Sequence, residues 1–221
     1  MLRSLSRDTV RVMGACILLA GLASGSPVAA ASTAYTDLAS FTAATTGPLT
    51  TADFEEVWGT SWTSQFSGYT EAGVSFAYSG TAYLYIGDHA SLLASSNLYA
   101  PAGSDFMLGH GGPGNEVVAT LPAGVTAVGI DLGVGETTTA SSLTVTLGTG
   151  EVFVLAAPPQ YSYQFFGVTS DVEIGSISWS DSAASRTIAD NLVYGTAVPE
   201  PSTALLMLLG IGVAARVRKR A

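Results

Sequence analysis

The 221-residue sequence contains a single cysteine, Cys16, which lies inside an N-terminal apolar segment, residues 12–23. Lipid attachment would require the cysteine at the end of that segment, whereas Ile17, Leu18 and Leu19 follow it. The rest of the chain has no cysteine, so it can form no disulfide bond and offers no thiol nucleophile.

Basic residues are almost absent from the central part of the chain. Between residues 32 and 197 only Arg186 is basic, against fifteen carboxylates, which gives a formal charge of −14. A surface of this charge repels nucleic acid and attracts cations. We therefore expect no nucleic-acid partner.

Catalytic motifs are also missing. The sequence has neither a Gly-x-Ser-x-Gly turn nor a His-Glu-x-x-His spacing. Its two histidines, His89 and His110, lie in loop-like contexts, where exposed loop histidines are the simpler interpretation. The sequence therefore predicts a protein that is not an enzyme. A secreted hydrolase using His110 or His89 is the remote alternative.

The N-terminus is typical of an exported protein. Arg3, Arg7 and Arg11 precede the apolar residues 12–23, and Ala29-Ala30-Ala31 offers a cleavage site before Ser32. This order of basic, apolar and small residues predicts a secretory signal peptide over residues 1–31.

The C-terminus has three adjoining parts. Val198-Pro199-Glu200-Pro201 comes first, followed by an apolar run over residues 203–215 and a basic end. Counting Ser202, that run would rise about 21 Å as a helix, less than the roughly 30 Å of a bilayer core. We expect a short transmembrane helix that is held in the inner membrane transiently. The basic side chains would act as its membrane stop: Arg216, Arg218, Lys219 and Arg220.

This C-terminal arrangement resembles the PEP-CTERM sorting signal of Gram-negative bacteria, with Pro199-Glu200-Pro201 at the position of the family's Pro-Glu-Pro. The resemblance implies recognition by an exosortase, a membrane-embedded enzyme similar to cysteine transpeptidases. It also implies release or transfer to the cell surface or extracellular matrix, often together with exopolysaccharide. A plain C-terminal membrane anchor is the alternative.

Residues 32–197 form one domain that is predicted to be all-β. About ten short strands between Gly-rich turns, without intervening helices, predict a two-sheet antiparallel β-sandwich of jelly-roll type. The one predicted helix covers residues 36–44. Residues 52–57 are predicted to form the first strand, and residues 143–155 a hairpin across Gly148-Thr149-Gly150. Hydrophobic helices are predicted at both chain ends.

Some short sequence segments, including Asp53-Phe54-Glu55 and Asp190-Asn191-Leu192, resemble segments of the domain commonly found ahead of this sorting signal. That domain family has no settled activity. The segments are also similar to jelly-roll carbohydrate-binding modules, in which such carboxylates often hold a structural calcium ion. That resemblance implies Glu55 and Asp190, with Asp53, as calcium ligands. Alternatively, Glu55 faces solvent, and Asp190 caps a turn or accepts hydrogen bonds from backbone amides.

Aromatic residues are concentrated after the predicted first strand. Trp58, Trp62 and Tyr69 could stack on sugar rings of a polysaccharide if they are exposed. Core packing is the alternative, because a sandwich of this size needs large buried side chains.

Overall fold

The structure is a computed structural model. It describes residues 31–55, 68–79, 84–88, 105–109, 116–135, 142–159, 162–182 and 186–199. The hydrophobic helices predicted at the two chain ends lie outside these residues. Within the described part of the chain, no helix is both long enough and apolar enough to cross a bilayer.

The described residues form two antiparallel sheets and one short helix, as the sequence predicts. The first sheet has the order β1-β11-β8-β13-β6-β5, with β2 also paired to β13, and the second has the order β10-β9-β12-β7-β4-β3. The jelly-roll type of the sandwich remains a prediction. The elements are β1 (Ser32–Tyr35), α1 (Leu38–Ala43), β2 (Thr45–Ala52), β3 (Gly68–Glu71), β4 (Val74–Tyr78), β5 (Leu84–Asp88), β6 (Asp105–Gly109), β7 (Val117–Thr120), β8 (Ala127–Val134), β9 (Ser142–Leu147), β10 (Val152–Ala156), β11 (Gln164–Ser170), β12 (Ser176–Asp181) and β13 (Thr187–Ala197).

The core lies between the two sheets because side chains alternate along each strand. On β8, Val128, Ile130 and Leu132 point inward and are fully buried, whereas Asp131 lies on the opposite, outer face of the first sheet. Trp179 of β12 is the largest fully buried side chain and belongs to the same core.

Helix α1 covers part of the outer face of the first sheet. The Oδ1 atom of Asp37 accepts a hydrogen bond from the backbone N–H of Ser40 (2.8 Å), which caps the helix and lowers the pKa of Asp37. Phe41 is fully buried between Tyr35 and Phe165. It lies over Gly167 of β11, where a Cβ atom would be 2.7 Å from the Phe41 ring.

The predicted hairpin is confirmed: β9 and β10 pair with Leu143 opposite Leu155. Gly150 has a φ of 92°, a left-handed conformation that glycine adopts without strain. Its N–H donates to the Leu147 carbonyl over 2.8 Å, which closes the turn.

The predicted first strand over residues 52–57 is wrong at residues 53–55, and residues 56 and 57 lie outside the described residues. Strand β2 instead ends at Ala52, and Phe54 adopts a φ of 64°, outside the strand region. The backbone leaves the sheet because the N–H groups of Asp53 and Phe54 both donate to the Glu71 carboxylate rather than to a neighbouring strand.

Candidate functional site

The C-terminal end of β13 leads directly into the Val198-Pro199-Glu200-Pro201 motif. The last pair of the strand joins Ala197 to Thr45, and the Val198 N–H donates to the Ala44 carbonyl over 2.9 Å. Val198 is 45% exposed, and Pro199 is also exposed. The regular strand pairing of the sandwich therefore ends at Ala197, and one further backbone hydrogen bond holds Val198, the first residue of the motif. Glu200 and Pro201 lie outside the described residues, as do the basic residues Arg216, Arg218, Lys219 and Arg220.

The N-terminal end of β1 is held by residues that follow β11. The Ala31 N–H donates to Oδ1 of Asp171 (2.9 Å), and the Asp171 N–H donates to the Ala31 carbonyl (3.1 Å). The next residue, Ser32, lies opposite Ser170 and donates from its hydroxyl to the Glu151 carboxylate over 2.6 Å. The chain thus enters the fold one residue before the predicted mature start at Ser32.

Both chain junctions lie at the same end of the first sheet. Ser32 pairs with Ser170, Thr169 pairs with Ala127, and Ala127 pairs with Gly195, so the row runs across β1, β11, β8 and β13. Three strand spacings of about 4.8 Å separate β1 from β13 by roughly 14 Å. Any segments attached to the two ends would therefore leave the domain from one side.

A pocket of about 440 Å³, here called the junction pocket, lies between the start of β1 and the end of β13. Thr126 is central to it: its carbonyl accepts from the Ser170 N–H and its Oγ1 accepts from the Ala197 N–H, both over 2.8 Å. The lining is rich in hydroxyl groups and includes the start of the C-terminal motif. It consists of Ala31, Thr33, Thr126, Thr169, Ser170, Asp171, Thr196, Ala197, Val198 and Pro199.

Of the predicted calcium ligands, Asp190 lies on β13, and Asp53 and Glu55 lie in the turn that follows the neighbouring strand β2. Strand β2 pairs with β13, with Ala52 opposite Leu192, so the turn that contains Asp53 and Glu55 follows β2 on the side of β13 where Asp190 lies. Asp53 accepts a hydrogen bond from the Glu55 N–H (3.3 Å), and Glu55 is exposed. Among the described residues, no three His, Cys, Asp or Glu side chains group closely enough to hold a metal ion. Calcium binding stays a prediction.

Asp190 is 1% exposed and lies directly opposite Asp131 across the β13–β8 pair. Its Oδ1 accepts from the Asn191 N–H (2.7 Å). Asn191 occupies an irregularity of the strand with a φ of 47°, and its side-chain amide donates to Oδ2 of Asp131 over 3.2 Å. We call Asp131, Asp190, Asn191 and Tyr163 the outer-face cluster.

Burial changes the proton affinity of this cluster. It raises the pKa of Asp131, although the hydrogen bond from Asn191 acts in the opposite direction. It also raises the pKa of Tyr163, and the negative charges of Asp190 and Asp131 add to that effect. The buried Tyr163 hydroxyl has no hydrogen-bond partner among the described residues.

Glu71 organises the turn that contains Asp53, and sequence analysis did not single it out. Its Oε1 accepts from the N–H groups of both Asp53 and Phe54 (3.0 Å each), and its Oε2 accepts from the Tyr69 hydroxyl (2.8 Å). The side chain is 9% exposed. Nothing in the local pattern distinguishes Glu71 from the other carboxylates, because its two backbone donors, Asp53 and Phe54, lie 18 and 17 residues earlier.

Tyr69 lies at the edge of the core. The centroid of its ring lies 6.2 Å from that of Phe76 and 6.4 Å from that of Phe54. Its hydroxyl donates a hydrogen bond to Oε2 of Glu71. These contacts give Tyr69 a structural role, and glycan binding by this residue stays a prediction. Trp58 and Trp62, as well as His89 and His110, lie outside the described residues.

Sequence analysis also did not find the role of Asp131 or the contact of Asp171 with Ala31. Asp131 does leave a signal in the sequence, since it is the one charged residue in the apolar stretch of β8. Asp171 simply follows β11, and its contact with Ala31 depends on the pairing of β1 with β11, 140 residues apart.

The fold and the junction define a class: a two-sheet β-sandwich whose last strand continues without a linker into a Pro-containing C-terminal motif, of which the described residues Val198 and Pro199 are exposed. Residues 197–221 match the family model of the PEP-CTERM protein-sorting motif. The chain is thus a protein that carries a PEP-CTERM sorting motif. A comparison with curated proteins found no match.

Two solved structures are similar to parts of the chain. One contains the CBM22-1–GH10 modules of the Clostridium thermocellum endo-1,4-beta-D-xylanase 10B complexed with xylohexaose; it is 12% identical with a TM-score of 0.36, and the match covers 56% of this chain and 26% of that one. The other is the CBM22-1 xylan-binding domain of Paenibacillus barcinonensis Xyn10C, 13% identical with a TM-score of 0.33, covering 70% of this chain and 99% of that domain.

Proposed function

We propose that this protein is exported, held in the inner membrane through its C-terminus, and then processed by an exosortase. Processing would deliver the sandwich domain to the cell surface or the extracellular matrix. The match of residues 197–221 to the PEP-CTERM protein-sorting motif carries the proposal.

The geometry of the C-terminal junction supports this proposal. Regular pairing ends at Ala197, and Val198 and Pro199 are exposed. A cut within or after the Val198-Pro199-Glu200-Pro201 motif would therefore leave every strand and every core side chain of the described residues in place. The folded domain itself is a suitable substrate for the processing enzyme.

The proposed role of the released domain is non-enzymatic, as a binding or structural component associated with exopolysaccharide. Its acidity favours a location where cations are available to offset the repulsion between copies. A hydrated polysaccharide matrix outside the cell is such a location.

The test is the intact mass of the protein recovered from the membrane and medium of its native cells. We expect a C-terminus near Pro199–Ser202 in exosortase-containing cells, and a full-length, membrane-bound chain when Pro199 and Pro201 are both changed to Ala. Pro48→Ala, at an exposed proline of β2, is the matched control and should be processed normally. A native chain that ends at Ala221 in the membrane would contradict the proposal and leave a plain anchor.

Polysaccharide binding by the domain is the second candidate function, with a structural calcium ion as part of it. The outer-face cluster favours it, because a carboxylate, an amide and a buried tyrosine hydroxyl without a described partner lie together on one sheet face. Such polar groups orient sugars in binding sites. Affinity electrophoresis in the native exopolysaccharide should retard the wild type, and Asp131→Ala should reduce the retardation. Glu173→Ala, an exposed carboxylate elsewhere, should not reduce it, and equal migration with and without polysaccharide would contradict binding.

A further inference from the structure

The N-terminal processing site has two possible positions in the sequence. Small residues stand three positions and one position before the cut in both cases: Ala29 and Ala31 for a cut before Ser32, and Val28 and Ala30 for a cut before Ala31. Residue type alone does not distinguish them, so the contacts of Ala31 decide between them.

We propose that signal-peptide removal leaves Ala31 as the first residue of the mature protein and that its α-ammonium group binds the carboxylate of Asp171. The inference rests on the proposed export. The step is hydrolysis of the Ala30–Ala31 peptide bond by the signal peptidase of the export machinery. Water adds its hydroxyl group to the Ala30 carbonyl carbon, and the Ala31 amine leaves with the proton.

The hydrogen bonds of Ala31 carry this assignment. Its N–H donates to Oδ1 of Asp171 (2.9 Å), and its carbonyl accepts from the Asp171 N–H (3.1 Å). These two bonds extend the β1–β11 pairing one residue beyond Ser32 and Ser170. A cut before Ser32 would remove both bonds, whereas a cut before Ala31 keeps both.

Cleavage before Ala31 also changes the chemistry of the contact. The neutral N–H donor becomes an ammonium group beside a carboxylate, and charge-assisted hydrogen bonds are stronger than neutral ones. The surrounding domain strengthens the attraction, because Arg186 is its one basic side chain among fifteen carboxylates. The ammonium group would therefore be the second positive charge of the mature domain.

The assignment places this charge in the junction pocket. Ala31 and Asp171 form one part of its wall, and Val198 and Pro199 form another. The free N-terminus thus lies beside the place where the sorting motif leaves the fold.

N-terminal sequencing and intact mass of the mature protein, purified from native cells, test the position of the cut. We expect a chain that starts at Ala31. A chain that starts at Ser32, lighter by one alanine residue, would overturn the inference while leaving export intact. A chain that starts at Met1 would overturn export, and with it this inference, so the two failures are distinguishable.

The ion pair is tested by titrating the α-amine with pH-dependent reductive methylation. Asp171→Asn should lower the pKa of the Ala31 α-amine by about 0.5–1, because the nearby Asp171 carboxylate favours the protonated, positively charged form of the amine. Glu173→Gln removes the same charge from a neighbouring exposed position and should leave the pKa nearly unchanged. Equal shifts in the two variants would show only the general acidity of the domain and would overturn the pairing.

Discussion

Asp190 on β13 lies directly opposite Asp131 on β8, so the two carboxylates project from the same face of the first sheet. Like charges in this position destabilise an antiparallel pair. The side-chain amide of Asn191 offsets part of the repulsion by donating to Asp131. A proton on Asp131, or a cation beside the pair, would offset the rest.

Asp131→Asn should make the stability of the protein less dependent on pH. Burial raises the pKa of Asp131, so its charged form is disfavoured in the folded state. Below the unfolded pKa of about 4, the carboxyl is largely neutral in both states, and stability is lost as pH rises through that value towards the raised folded pKa. Solvent partly screens this half-buried site. We expect the variant to gain about 2 °C in unfolding temperature over the wild type between pH 4 and pH 7.

The same titration with Glu173→Gln is the control, because Glu173 is exposed. Its curve should run parallel to that of the wild type. Parallel curves for Asp131→Asn as well would contradict the proposed cost of ionising Asp131.

Calcium removal should lower the unfolding temperature of the mature protein. At a free calcium concentration one hundred times the dissociation constant, an ion that binds only the folded state adds about 2.7 kcal/mol, which corresponds to several degrees in a domain of this size. Differential scanning calorimetry with and without a chelator measures the shift. Asp190→Asn should abolish the response, whereas Asp181→Asn, at a buried aspartate on β12, should retain it. An unchanged unfolding temperature with the chelator would contradict calcium binding by the folded domain.

Glu71→Ala should destabilise the fold by about 2–5 kcal/mol. The substitution leaves the part-buried N–H of Asp53 and the buried N–H of Phe54 without their acceptor, and an unsatisfied buried donor costs about 1–3 kcal/mol. Glu71→Gln retains one acceptor oxygen and should cost less than Glu71→Ala. Tyr69→Phe removes a single hydrogen bond and should cost about 1 kcal/mol or more. Urea unfolding measures all three, and equal losses for Ala and Gln would show that the carbonyl oxygen does not substitute for the carboxylate.

Gly167→Ala should displace helix α1. A Cβ at this position would lie 2.7 Å from the Phe41 ring and 2.8 Å from the Phe165 ring. We expect a loss of about 1–3 kcal/mol, the usual cost of overpacking. Gly87→Ala on β5 is the control, since its Cβ would meet no atom within 4 Å. A Gly167→Ala protein as stable as the control would show that α1 shifts without cost.

The strands could be predicted because the residue pattern that identifies each strand is contained in neighbouring residues. Alternating residues mark β9 and β10, and Gly148-Thr149-Gly150 marks the turn between them. The start of α1 is also local, since the sequence offers Thr36 or Asp37 as the cap of the predicted helix and Asp37 is its N-cap. A local pattern of the same kind identified the sorting motif, which was found from residues adjacent in sequence.

The contacts of the candidate site could not be predicted in the same way, because they join distant parts of the chain. The end of β2 at Ala52 depends on Glu71, which lies at the end of β3. The pairing of Ala31 with Asp171, and of Asp131 with Asp190, depends on which strands become neighbours. Strand order is a property of the whole sheet, and no single stretch of sequence contains it.

The position of β13 determines how the domain responds to force. This strand of eleven residues pairs with β8, β6 and β2, and its end continues into the sorting motif. A pull on the tail acts along the strand axis and loads its hydrogen bonds on both sides together, in shear rather than one after another. Under the proposed sorting, the sandwich would therefore stay folded while its C-terminal tail is pulled.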